Sequence, residues 1–153
     1  MNRAQRRSNP TAWAATIAAS RQTEPAVADD VMTKLHMAFA DLKAGSTDDD
    51  LFDRLAVSIN VGLLRAEQIN EVCVQPMLAA RDALIRCDDI RGRHGRYGFD
   101  GPGLQAIADG LDVYEEMLRK STPQQMTAAL YLSVERMRKH AIAPFHTQSK
   151  APR

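Results

Sequence analysis

The sequence predicts an all-α fold: a compact bundle of about five helices, with a flexible basic arm at the N-terminus and a short tail at the C-terminus. Three observations carry that expectation. Apolar residues recur at helical spacing in successive stretches. Capping residues, glycine or proline stand between the stretches. No segment shows the alternation of apolar and polar residues that marks a ladder of half-buried strands. With 153 residues, the chain is long enough for one domain with a real core. The expected organisation is an arm over residues 1–23, a helical domain over 24–142 and a tail over 143–153.

In the arm, MNRAQRRS is basic and aperiodic, and Asn9 and Pro10 follow it. The next run, TAWAATIAAS, suits a short Ala-rich helix carrying Trp13 and Ile17 one turn apart. A basic start before an apolar run also fits an export signal. The run is short and interrupted by Thr11, Trp13 and Thr16, so an arm is the better reading. Pro25 suits a first helical turn, with Val27, Val31, Leu35, Ala38 and Leu42 as the apolar stripe, widened by Met32 and Phe39. Gly45 supplies the stop. A second helix is expected from Ser46 or Thr47, with Leu51, Phe52, Leu55, Ile59, Leu63 and Leu64 inward and a break near 68–70. The third runs from about Glu71 to Ile90, with Cys73, Met77, Ala80, Leu84 and Cys87 on one narrow face. Pro76 belongs to its first turns.

From Arg91 to Gly103 the sequence RGRHGRYGFDGPG holds five glycines and a proline, which predicts a loop with a brief extended piece at 96–99. Asp100 is the expected cap of a fourth helix, whose face is Leu104, Ile107, Leu111, Tyr114 and Leu118. Thr122, Pro123 and Gln125 form a start signal for the last helix: capping threonine, proline at the first position and capping-box glutamine. Its expected apolar face is Met126, Leu130, Val134 and Met137.

Composition excludes several classes of function. A formal net charge of +1 does not describe a uniformly basic nucleic-acid binder. The absence of a long apolar run argues against a membrane span. Two cysteines are too few for a disulfide scaffold or a full structural zinc site. Cys73 and Cys87 lie fourteen residues apart on one predicted helix, roughly 21 Å along its axis, so they cannot pair and read as core residues. The small net charge averages over blocks. Residues 1–23 carry four positive and no negative charges, whereas 24–60 carry three positive and eight negative. Residues 91–99 carry three positive charges, and 100–116 five negative ones.

Candidate functional residues come from these blocks. Asp48, Asp49, Asp50 and Asp53 lack the alternation and closing glutamate of a calcium loop, so they read as a charged helix start or an acidic patch for a partner. The four histidines are scattered, and no nucleophile–base or metal-ligand spacing is present. Arg91, Arg93, His94, Arg96 and Tyr97 combine cations with an aromatic ring, the mixture favoured where proteins bind partners. Such a cluster also suits phosphate contact and base stacking. The same loop lacks the Gly-Lys-Ser/Thr ending of a nucleotide-binding loop. Arg3, Arg6 and Arg7, with Arg136, Arg138 and Lys139, are further candidates for contact with nucleic acid or a partner. No cofactor and no metal is expected.

The segment GRYGFDGPGLQAIADGLDVYEEML from Gly95 to Leu118, LAVSINVGLLRAEQI upstream and the MNRAQRR start resemble a group of small helical proteins of proteobacterial prophages and mobile elements. The resemblance covers mainly residues 50–120, and Cys73, Pro76 and the tail depart from it. Those proteins have no assigned active site, so it implies a context and no catalytic residue. That context is a non-enzymatic, phage-derived interaction protein of the bacterial cytoplasm, a modulator of host machinery or defence such as an anti-CRISPR. Its expected partner is a host or phage protein, and homo-oligomerisation is compatible with the sequence. The alternative is a small nucleic-acid-binding accessory or regulatory protein.

Overall fold

A computed structural model gives the structure of the chain and describes residues 21–139. Arg3, Arg6, Arg7 and residues 140–153 lie outside the described residues. Among the described residues five helices follow one another: α1 (Pro25–Lys43), α2 (Asp49–Ile69), α3 (Glu71–His94), α4 (Gly101–Lys120) and α5 (Pro123–Arg138). Among the described residues there is no strand, and the domain is all-α as expected. No helix among them is long and apolar enough to cross a membrane.

The boundaries follow local chemistry. Four of the five starts are closed by a side chain: Asp48 accepts from the Asp50 N–H, Asn70 from Cys73, Asp100 from Gly103 and Thr122 from Gln125. Each satisfies a donor that the first turn leaves without a helical partner. At Thr122 the capping box is complete, because the Gln125 side chain also accepts from the Thr122 N–H at 2.9 Å. Asn70 ends α2 and caps α3 at once, so a single extended residue makes the turn. The second helix therefore starts two residues later than Thr47, because Asp48 takes the cap.

The third helix corrects the expected loop. It continues through Arg91, Gly92, Arg93 and His94 and stops at Gly95, whose φ of 75° lies in the left-handed region. Arginine is a good helix former, and cations in a last turn meet the negative end of the helix dipole. Gly92 is tolerated inside a helix, and Gly101 and Gly103 belong to α4. The connection shrinks to residues 95–100, with no strand at 96–99.

Helix α2 is central and touches the other four. Its buried set, from Phe52 through Leu55, Ile59, Leu63 and Ala66 to Val61 and Leu64, covers most of its circumference. Helices α3 and α4 form the closest pair. A Cβ on Gly110 of α4 would stand 2.6 Å from the Ala80 Cβ of α3, so the two backbones approach only because glycine faces alanine. The main core gathers Met32, Leu35, Leu42, Leu55, Leu84, Ile107 and Leu111. Helix α5 lies chiefly on α2 and makes a small second cluster, Ala129 against Val61 and Leu64.

Two expected faces differ in part. In α1, Met32, Leu35, Ala38 and Leu42 are buried as expected, but in the first turn Ala28 is buried and Val27 is 51% exposed. In α5 the buried residues are Ala129 and Ser133, and Leu130 is 40% exposed. Small residues let α5 sit close to α2, and the larger stripe is left on its flank. Cys87 is buried and Cys73 half-buried, both as free thiols.

Candidate functional site

The residues singled out around the glycine-rich segment divide into an internal clamp and an exposed edge. The clamp starts from Tyr97. Its backbone N–H donates to the Ser46 carbonyl at 2.9 Å, which ties the α3–α4 connection to the α1–α2 connection. That bond turns the ring inward, where it is 2% exposed and stacks on Phe52 at 4.9 Å between centroids with the planes 5° apart. The hydroxyl donates to Asp49 Oδ1 at 2.7 Å. Burial, reinforced by that carboxylate, raises the phenol well above the ordinary tyrosine range. Phe99 meets Phe39 edge-on at 5.4 Å, so the second aromatic of the segment is also spent on packing.

Arg91 completes the clamp. Its guanidinium carbon lies 5.5 Å from the Tyr97 ring centroid, and Nε is 3.6 Å from Asp49 Oδ1. Nη1 donates to the Gly95 carbonyl at 2.5 Å and Nη2 to the Thr47 carbonyl at 3.4 Å. Arg91 thus closes the end of α3 and holds the start of α2. Tyr97, expected at a partner surface, has no surface to offer, and Arg91, half-buried, is engaged by groups of its own chain. Asp48 is occupied as a cap, and Asp49 takes the clamp's hydrogen bond and charge. Asp50 and Asp53 remain exposed on the first turns of α2.

The exposed edge is Arg93, His94 and Arg96, at the last turn of α3 and just after it. Arg93 donates at 3.4 Å to the Asp89 carbonyl of its own helix. Among the described residues none of the three forms an ion pair.

The basic end of α5 differs. Arg136 pairs with Glu67 of α2 at 2.7 Å, and Arg138 and Lys139 lie 3.8 and 3.9 Å from Glu135. The sequence offers these three as contacts for nucleic acid or a partner; the fold pairs Arg136 with α2, while Arg138 and Lys139 share the single carboxylate of Glu135. Similar cross-links went unseen in the sequence. Arg119 of α4 bridges Asp29 of α1 at 2.6 Å and Glu115 at 2.7 Å, and Arg65 donates to the Ser121 hydroxyl at 2.8 Å. Arg86 donates to Asp100 at 3.0 Å, which with the Gly103 N–H holds that carboxyl below the usual range.

Burial pushes the Cys87 thiol up to about 12, which keeps it from acting as a thiolate near neutral pH. Among the described residues no group of three or more His, Cys, Asp or Glu is placed to hold a metal ion. His36 and Met37 border a shallow groove of about 560 Å³ between α1 and α4. The chain matches no protein-family model, no curated protein and no solved structure.

Proposed function

We propose that this chain is a non-enzymatic protein-interaction module, of phage or mobile-element origin, that binds an acidic surface of a host or phage protein. The observation that carries the reading is the edge formed by Arg93, His94 and Arg96, three exposed groups without an ion pair among the described residues. Cations beside them are neutralised internally, so the fold separates charges used for its own cohesion from charges presented outward. Charge patches of one sign speed encounter with a complementary partner and select against like-charged ones. The resemblance of residues 50–120 supplies the context, in which modulators of host defence such as anti-CRISPR proteins are one class. Nucleic acid is the weaker reading, because Arg136 already pairs with Glu67 and a single carboxylate, Glu135, lies between Arg138 and Lys139.

The test begins with affinity capture from bacterial lysate and identification of the retained protein by mass spectrometry. Binding of that purified partner is then measured for wild type, the double variant Arg93→Ala/Arg96→Ala, and Arg91→Ala. The double variant is expected to bind about tenfold more weakly while melting as wild type, which is a loss of about 1.4 kcal/mol. Arg91→Ala is expected to lower the melting temperature first, because it opens the clamp. Unchanged affinity in the double variant rules the edge out as the binding site. Tight, steeply salt-dependent binding to a random-sequence oligonucleotide, with no protein captured, would move the assignment to nucleic acid.

A further inference from the structure

Three of the exposed large apolar side chains among the described residues are consecutive on α5: Tyr131 is 69% exposed, and Leu130 and Leu132 beside it are 40 and 43% exposed. Apolar side chains grouped in this way mark a surface that binds something. Tyr131 is two residues from both Ala129 and Ser133, the buried positions of α5, so at about 3.6 residues per turn it stands on the side away from α2. Gln124, Ala128, Glu135 and Arg138 share that outward side, and all four are exposed. With Tyr131 they step by four, three, four and three, the spacing of a seam between two helices. Charge is confined to one end of the helix. Residues 123–132 hold none, while Glu135, Arg136, Arg138 and Lys139 crowd the end. Arg136 is drawn to Glu67, and the contacts of Glu135 with Arg138 and Lys139 are exposed and long, so they rearrange at little cost.

We propose that a second copy of the chain docks on this face, α5 against α5, antiparallel about a two-fold axis at Tyr131. Such an interface is isologous, so a residue at a given distance before Tyr131 meets the one at the same distance after it. The face is complementary to itself under that operation. Tyr131 meets its own copy, where two rings stack with an offset. Leu130 meets Leu132 on either side, and their near-equal exposure fits an axis through the residue between them. Ala128 meets Val134, small against large. Thr127 meets Glu135, a hydroxyl donor against a carboxylate, and Gln124 meets Arg138, an amide oxygen against a guanidinium. Charge selects the direction, because a parallel pair would set Arg138 and Lys139 of both copies side by side. Helix α5 has 16 residues and is about 24 Å long, so one pair of helices makes a small, transient interface with association in the micromolar range. No residue of the Arg93 edge takes part, and the inference stands apart from the reading of that edge.

The test uses the full chain alone. Sedimentation velocity from about 1 to about 500 μM is expected to show a shift from one chain to two. Tyr131→Glu sets two carboxylates against each other at the axis and is expected to weaken association about tenfold or more, with helicity and the melting temperature in dilute solution retained. Cross-linking then reads the geometry. Tyr131→Cys is expected to form an oxidised dimer well above the wild-type background, because residue 131 meets itself. Gln124→Cys is expected to stay at that background, because the antiparallel pair sets its two copies about 21 Å apart along the helix. Three outcomes overturn the proposal. The chain sediments as a single chain at every concentration, which means that this face is open or is covered within its own chain. Dimers form as readily with Tyr131→Glu, which places the contact elsewhere. Gln124→Cys cross-links as readily as Tyr131→Cys, which the antiparallel pair does not allow.

Discussion

The α3–α4 contact and the α2–α5 contact are both built on small residues, and they end as different kinds of interface. In the first, Gly110 meets Ala80, and the larger neighbours Leu84, Ile107 and Leu111 are fully buried. In the second, Ala129 sits on Val61 and Leu64 and Ser133 is buried, while Leu130, Tyr131 and Leu132 stay 40–69% exposed. The difference is the third helix. Helix α2 lies across the α3–α4 pair and encloses the large side chains that close approach brings together. No comparable element among the described residues lies over α5. Small residues set how near two helices come, and a third surface decides whether the contact becomes core.

The sharpest test of that contrast is a matched pair of truncations. Leu111→Ala leaves a cavity in the enclosed cluster and is expected to cost about 3 kcal/mol, read as a lower midpoint in urea. Leu130→Ala removes the same atoms from a half-open site and is expected to cost about 0.5 kcal/mol or less. Comparable losses would show that α5 is as enclosed as α4. A smaller effect is expected from Gly110→Ala, whose Cβ meets Ala80. It should cost about 2 kcal/mol, and Ala80→Gly in the same chain should recover part of it in thermal melts. Additive losses in the double variant would mean that the two positions do not share one close approach. Smaller than the effect at Gly110 and confined to one helix is that of Thr122→Ala, which removes the capping-box hydroxyl at about 1 kcal/mol. Hydrogen exchange should quicken across α5 and hold steady in α3 and α4, since α5 has one principal neighbour. Uniform quickening would mean that α5 unfolds only with the whole domain.

Much of the helical framework was legible in the sequence, because the signals that start a helix lie within one turn of it. Asp100 and Thr122–Gln125 announce α4 and α5 through donors and acceptors three residues apart. The end of α3 was misread because glycine frequency signals a loop, whereas Gly92 lies within a turn rich in helix-forming, dipole-compatible arginines. The face of α5 was misread for another reason. Periodicity shows that Met126, Leu130, Val134 and Met137 share a stripe, but burial went to the adjoining Ala129 and Ser133, where α2 comes closest. The division of the candidate site was not legible at all. Arg91 and Arg93 are two residues apart and alike in composition, yet one is a clamp and the other an exposed cation.

By itself, then, the sequence determined the all-α class, the count of helices in the described domain and most of their starts. These depend on backbone hydrogen bonds and caps that close within about four residues. Only the tertiary structure decided which charges the protein keeps for itself. Asp49 is 42 residues from Arg91 and 48 from Tyr97. That distance closes because Tyr97 is bound at Ser46 and its ring stacks on Phe52. An ion pair is set by where packed helices place their ends, and no local pattern records it. The unpaired edge at Arg93, His94 and Arg96 is what remains after that pairing.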